Sequence, residues 1–170
     1  KYPEKLHKLV IEDIGPEASS KATSYYEMLL GSIPTPFPSK LKAKEFFMNE
    51  FRKIPVKGDR ETIGLYLYSN IVDKPDGTAD WRFSRQAIMD SVILGRAKDH
   101  WAEFRALTMP TLVIRGGQSD DLSPVVFAAM TSANPKVTGL VIDNAGHWVH
   151  YNQPELFVSA LKSFVGDEVF

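Results

Sequence analysis

Two short runs hold the residues best suited to chemistry. The first is Ser119-Asp120-Asp121, which follows the apolar stretch Thr111-Leu112-Val113-Ile114-Arg115 and the pair Gly116-Gly117. The second is Gly146-His147-Trp148-Val149-His150, which follows the apolar-rich segment 136–142. An acid behind one strand and a histidine behind the next, 27 positions apart for Asp120 and His147, suits an orienting carboxylate and a general base. In such a pair the carboxylate accepts the imidazole N–H, fixes the tautomer and stabilises the imidazolium formed during the reaction. His150 reads as a supporting or exposed group, and Trp148 as packing in preference to substrate contact.

Other chemistries fit less well. His147 and His150 have three-residue spacing, but His-Glu-x-x-His is absent and there is no cysteine, so no metal site is expected. No Gly-x-Gly-x-x-Gly or Gly-x-x-x-x-Gly-Lys-Ser/Thr motif points to a nucleotide, and no cofactor is expected. Lys40, Lys42, Lys44, Arg52 and Lys53 alternate with apolar positions, as on a solvated helix face.

The elements that must position these loops follow from hydrophobic pattern. A β-branched run, Lys8-Leu9-Val10-Ile11-Glu12, ends at Asp13 and is stopped by Gly15-Pro16, which predicts a buried strand. Residues 18–107 read as mostly helical, with helices over 20–31, 40–54, 59–71 and from Ser84, a shorter one over 100–107, and no strand. Ser39, Asp59, Ser84 and Ser123 are the expected N-caps, with Pro124 at the first helical position after Ser123. Beyond Pro110 the order is strand, helix, strand, helix, with strands over 111–115 and 136–142 and a last helix from Pro154. Continuous apolar strands alternating with helices mean an α/β fold with a parallel sheet. Ligands in such sheets bind beyond the carboxyl ends of the strands, where both chemical runs fall. Three parallel strands make a poor domain alone, so the sheet in this chain is expected to be incomplete.

Composition sets the outer bounds. The chain has 170 residues, 44% of them hydrophobic, with 20 basic against 21 acidic residues and no cysteine. The near-zero charge argues against a nucleic-acid partner. No run approaches the ~18 apolar residues that a membrane helix needs, so no membrane partner is expected. The lack of cysteine excludes a disulfide scaffold and fits a reducing, cytoplasmic setting. The first residue is Lys1 and not Met.

At the two chemical loops the sequence resembles the α/β-hydrolase superfamily. Residues 110–124, Pro-Thr-Leu-Val-Ile-Arg-Gly-Gly-Gln-Ser-Asp-Asp-Leu-Ser-Pro, are similar to its penultimate core strand and acid loop. Asn144-Ala145-Gly146-His147-Trp148-Val149-His150, with Gln153-Pro154-Glu155, resembles its histidine loop and final helix, in a version similar to short-chain acyl esterases and thioesterases. Residues 5–16 resemble the strand that precedes the lid. The resemblance implies core segments 1–17 and 108–170 and a helical lid over 18–107. It implies His147 as the triad base and Asp120 as the acid, with Asp13 as the alternative acid because some members take it from the strand before the lid. Asp121 competes with Asp120, or serves as a negative charge leading the following helix. In the lid, Tyr25, Phe47 and Trp81, with Phe46 and Tyr66, are candidates for a hydrophobic substrate wall around a small acyl ester.

The family's serine lies on a Gly-x-Ser-x-Gly elbow, and none occurs here. Because the nucleophile precedes the acid and base in family order, the resemblance puts it upstream of Lys1, in a missing or separate segment acting as the partner of this chain. The implied function is ester or thioester hydrolysis through an acyl-enzyme, with this chain inactive alone. The alternatives are a ligand-binding protein without turnover and another chemistry of the fold, such as C–C hydrolysis, haloperoxidase or dehalogenase activity.

Overall fold

A computed structural model describes residues 3–17, 20–56 and 59–166. Lys1, Tyr2 and the closing residues 167–170, which fall within the two expected core segments, lie outside the described residues. The chain divides into two compact units, one of residues 1–17 and 99–170, the other of residues 18–98.

The first unit holds a three-stranded parallel sheet of β1 (Leu9–Glu12), β4 (Thr111–Gly116) and β5 (Val137–Ile142), in the order β1-β4-β5. Central β4 is buried along its whole length, which is why it reads as an unbroken apolar run. The register pairs Glu12 with Ile114 and Gly116 with Ile142, so β1, β4 and β5 end side by side. Side chains alternate between two cores. Val113, Leu122, Met130 and Val137 pack with Phe104 on one face, while Leu112, Ile114, Ile142, Ala145 and Val149 form the other. The first core is covered by α5 (Trp101–Arg105) and α6 (Pro124–Ala133), whose Phe127 and Ala133 pack against it. The second is covered by α7 (Val149–Asn152) and α8 (Pro154–Val165), through Phe157, Ala160, Leu161 and Phe164. Each fully buried aliphatic or aromatic side chain contributes about 1.5–3 kcal/mol. Among the described residues, β1 has a strand neighbour on one side only.

Gly139 explains how closely α6 lies on the sheet. A Cβ there would fall 2.5 Å from Thr131 Cγ2 and 2.6 Å from Phe127 Cζ. Ser123 caps α6 by accepting the Val126 N–H at 3.2 Å, with Pro124 in the first turn.

The second unit contains α1 (Ser20–Gly31), α2 (Lys40–Asn49), α3 (Arg60–Ser69) and α4 (Arg85–Arg96). Ser39, Asp59 and Ser84 cap α2, α3 and α4 as their side chains and positions predict. The expectation of no strand here is overturned by an antiparallel hairpin of β2 (Ile71–Asp73) and β3 (Ala79–Trp81) around the Pro75-Asp76-Gly77 turn. Its strands have three residues each, too few for alternation to register in the sequence. Asp76 closes the turn by accepting the Thr78 N–H at 3.0 Å, and Gly77 supplies the left-handed conformation with φ of 85°.

The insert is also shorter than its helical pattern implied. Residues 99–107, expected with the lid, belong to the sheet-bearing unit because Phe104, Trp101 and Leu107 pack into the core around Val113. No helix among the described residues is long and apolar enough to cross a membrane.

Candidate active site

The site forms where the three strands end. Asp13 follows β1 directly and extends the ladder, donating its N–H to the Ile114 carbonyl at 2.8 Å. The backbone then turns sharply, with φ of 47° at Asp13, a left-handed conformation that aspartate tolerates better than most residues. This turn carries the carboxylate over the end of β4, where it is fully buried. There Oδ1 accepts the Gly116 N–H at 2.9 Å, and Oδ2 accepts the Ser119 hydroxyl. Oδ2 also lies 3.0 Å from His147 Nδ1. Three donors offset the cost of taking a carboxylate out of water.

His147 is held by a loop that is pinned from both sides. Gly117 donates to the Ile142 carbonyl at 2.8 Å, Gln118 donates to that of Ala145 at 2.9 Å, and Gly146 donates to Asn152 Oδ1 at 2.9 Å. The two loops approach so closely that a Cβ on Gly116 would fall 2.2 Å from the Gly146 carbonyl oxygen. Only glycine fits at that crossing. Because a carboxylate can only accept, the contact with Asp13 puts the proton on Nδ1 and leaves Nε2 as the basic nitrogen. Burial works against the imidazolium, but the Asp13 hydrogen bond and the charges of Asp121, Asp13 and Glu12 outweigh it. The His147 pKa is raised above the ordinary histidine value.

The two expected acids are therefore placed differently. The carboxylate hydrogen-bonded to His147 is that of Asp13, on the strand before the insert, whereas Asp120 is exposed on the post-β4 loop. A turn read from sequence cannot say which of three neighbouring side chains points inward. Here Ser119 is buried, Asp120 is outward and Asp121 is partly inward, with its Oδ2 3.8 Å from His147 Nδ1. Asp13, Asp121 and His147 offer donor atoms within 4.8 Å of one another, the spacing of a cation site, but the Asp13–His147 hydrogen bond already engages two of them.

Three further residues carry the geometry. Arg115 is buried at the end of β4 and donates to the carbonyls of Leu122 at 2.7 Å, Ser119 at 3.0 Å and Gly117 at 3.4 Å, fixing the curl of the acid loop. Its signal in the sequence is an arginine closing an otherwise apolar strand. Ser119 links that loop to Asp13. Glu12 reaches the other loop, where Oε1 accepts the His150 N–H at 2.9 Å and lies 2.8 Å from His150 Nδ1. His150 is thus a supporting group that ties α7 to β1. Trp148 is half-buried ahead of α7, and its carbonyl accepts the N–H groups of Tyr151 and Asn152.

In the second unit, Phe47 is buried among Phe37, Phe46, Phe51 and Tyr68. Trp81 is buried and stacks on Phe83 with centroids 4.8 Å apart, while Tyr25 is half-buried against Tyr26.

The sheet is parallel, and a carboxylate–imidazole pair stands beyond its carboxyl edge. The model of the alpha/beta hydrolase family matches residues 18–160, and the chain belongs to that family. Among curated relatives it is similar to an sn-1-specific diacylglycerol lipase of Mus musculus, 22% identical over 96% of this chain and 52% of that protein. It is also similar to an esterase of Escherichia coli (strain K12), 28% identical over 64% of this chain and 40% of that protein. Among solved structures, a marine microorganism esterase superposes with a TM-score of 0.73, at 25% identity over 96% of this chain and 62% of that one. The chain spans about half the length of the curated relatives it matches.

Proposed function

We propose that this chain supplies the acid, the base and the lid of a serine hydrolase acting on carboxylic esters or thioesters. The observation that carries the reading is the buried Asp13 carboxylate 3.0 Å from His147 Nδ1, beyond the carboxyl ends of β1 and β5, the two strands that flank β4. Esterases and lipases among the relatives support the ester bond as the target. The absence of a Gly-x-Ser-x-Gly elbow, the coverage of about half of those relatives, and the one-sided pairing of β1 among the described residues support a nucleophile carried upstream.

In this mechanism an upstream serine hydroxyl attacks the acyl carbon while its proton passes to His147 Nε2. The imidazolium so formed stands against Asp13 and then gives the proton to the departing alkoxide or thiolate. Water attacks the acyl-enzyme next, again losing a proton to His147, which returns it to the serine oxygen as the carboxylic acid leaves. Asp13 stays ionised and keeps Nε2 aimed at the nucleophile, and backbone N–H groups of the upstream segment hold the oxyanion.

Assaying the full-length protein that contains this chain on p-nitrophenyl esters of graded acyl length tests the reading. Hydrolysis that falls at least ~10³-fold in His147→Ala supports it. Undiminished hydrolysis in that variant, or none with the unmodified protein, contradicts it.

A further inference from the structure

His147 has two carboxylates at its Nδ1. Besides Asp13 Oδ2 at 3.0 Å, Asp121 Oδ2 lies 3.8 Å from the same nitrogen. The two acids come from different strands, Asp13 from the end of β1 and Asp121 from the loop after β4. One hydroxyl ties them together: Ser119 Oγ donates to Asp13 Oδ2 and accepts the Asp121 N–H at 3.1 Å. Asp121 is only 25% exposed in its side chain. The ordinary task of an acid ahead of a helix is already taken, because Ser123 accepts the Val126 N–H of α6.

We infer that Asp121 is a second positioning acid for His147, sharing the stabilisation of the imidazolium with Asp13 and able to accept the Nδ1–H hydrogen bond when Asp13 is removed. This rests on His147 being the base, as in the proposed function. A shift of about 1 Å brings a 3.8 Å contact to hydrogen-bond length, within reach of a side-chain rotation on a loop that Arg115 holds in place. The charged groups facing the ring are Asp13 and Glu12 from β1 and Asp121 from the post-β4 loop, while His150 on α7 is engaged by Glu12. Removing the Asp121 charge takes away part of what favours protonated His147.

The test is a double-mutant cycle in the full-length protein, read as kcat/KM for an activated ester across pH. Asp13→Gly keeps the left-handed backbone at residue 13, and Asp13→Asn provides a second variant at that site. Asp121→Asn alone is expected to cost less than ~5-fold and to move the acidic limb of the pH profile to lower pH. Asp13→Gly is expected to cost ~10²-fold, and adding Asp121→Asn a further ~10²-fold, reaching the ~10⁴-fold loss typical of a triad with no orienting carboxylate. That last step is expected to exceed the effect of Asp121→Asn by itself. Equal effects of Asp121→Asn in both backgrounds, or an unmoved pH limb, overturn it. If Asp13→Gly does not fold by circular dichroism, the pH limb of Asp121→Asn alone decides the matter: a shift to lower pH supports the inference and an unmoved limb overturns it. His147→Ala separates the two failures: activity surviving that change rejects the base itself, whereas an inactive His147→Ala beside additive acids rejects Asp121 alone.

Discussion

Asp13 Oδ2 and His147 Nδ1 lie 3.0 Å apart although 134 positions separate them in the sequence. Parallel pairing makes this possible. β4 joins β1 on one side and β5 on the other, so residues just past two non-consecutive strands meet over its end. The carboxylate is fully buried and accepts three hydrogen bonds.

The two acids of the sequence reading are separable by mutation. Asp13→Asn puts an amide against Nδ1, favours the wrong tautomer and is expected to lower kcat by ~10³–10⁴-fold. Asp120→Asn, on an exposed side chain, is expected to change it less than ~3-fold. Steady-state kinetics of both variants in the full-length protein checks this.

The pH dependence has a definite sign. Since His147 works as a base only when neutral and its pKa is raised, kcat/KM is expected to climb through a midpoint above the ordinary histidine value of 6.5. The same shift links to stability: protonated His147 favours the folded state below that ordinary value. The contribution disappears as pH rises through the higher folded-state pKa. A pH–rate profile, with ¹⁵N NMR titration of the His147 ring, measures both.

Gly116 is a strict requirement of the loop crossing. In Gly116→Ala the new Cβ meets the backbone carbonyls of Gly146 and Ala145, at 2.2 and 2.7 Å, which cannot rotate away. A loss of about 2–4 kcal/mol is expected, with activity falling because the His147 loop is displaced. Urea unfolding followed by an ester assay reads both effects.

Arg115 is expected to matter to stability and activity together. Arg115→Met leaves the carbonyls of Leu122, Ser119 and Gly117 without their donor, at about 2–4 kcal/mol. Arg115→Lys cannot span three acceptors and recovers only part of that. Thermal melts of the two variants rank them.

Much of the fold was legible because each signal was local. The caps at Ser39, Asp59, Ser84 and Ser123, the buried run of β4 and the apolar-rich run of β5 are read from neighbouring residues. His147 stood out through the Gly-His pair behind a strand. The hairpin at β2 and β3 was lost because its strands are three residues long, and α5 was misassigned because amphipathicity does not say which core a helix covers. The carboxylate facing the imidazole was the hardest feature to read. It depends on a left-handed backbone at Asp13 and on which of Ser119, Asp120 and Asp121 turns inward, and both are set by packing over β4.

The most direct test of the central claim is to map a fluorophosphonate adduct on the full-length protein by mass spectrometry, with and without His147→Ala. The account predicts a single adduct on a serine upstream of Lys1 and none within residues 1–170, formed at least ~10³-fold more slowly in His147→Ala. An adduct on a serine of this chain, or labelling that His147→Ala leaves unchanged, would contradict it.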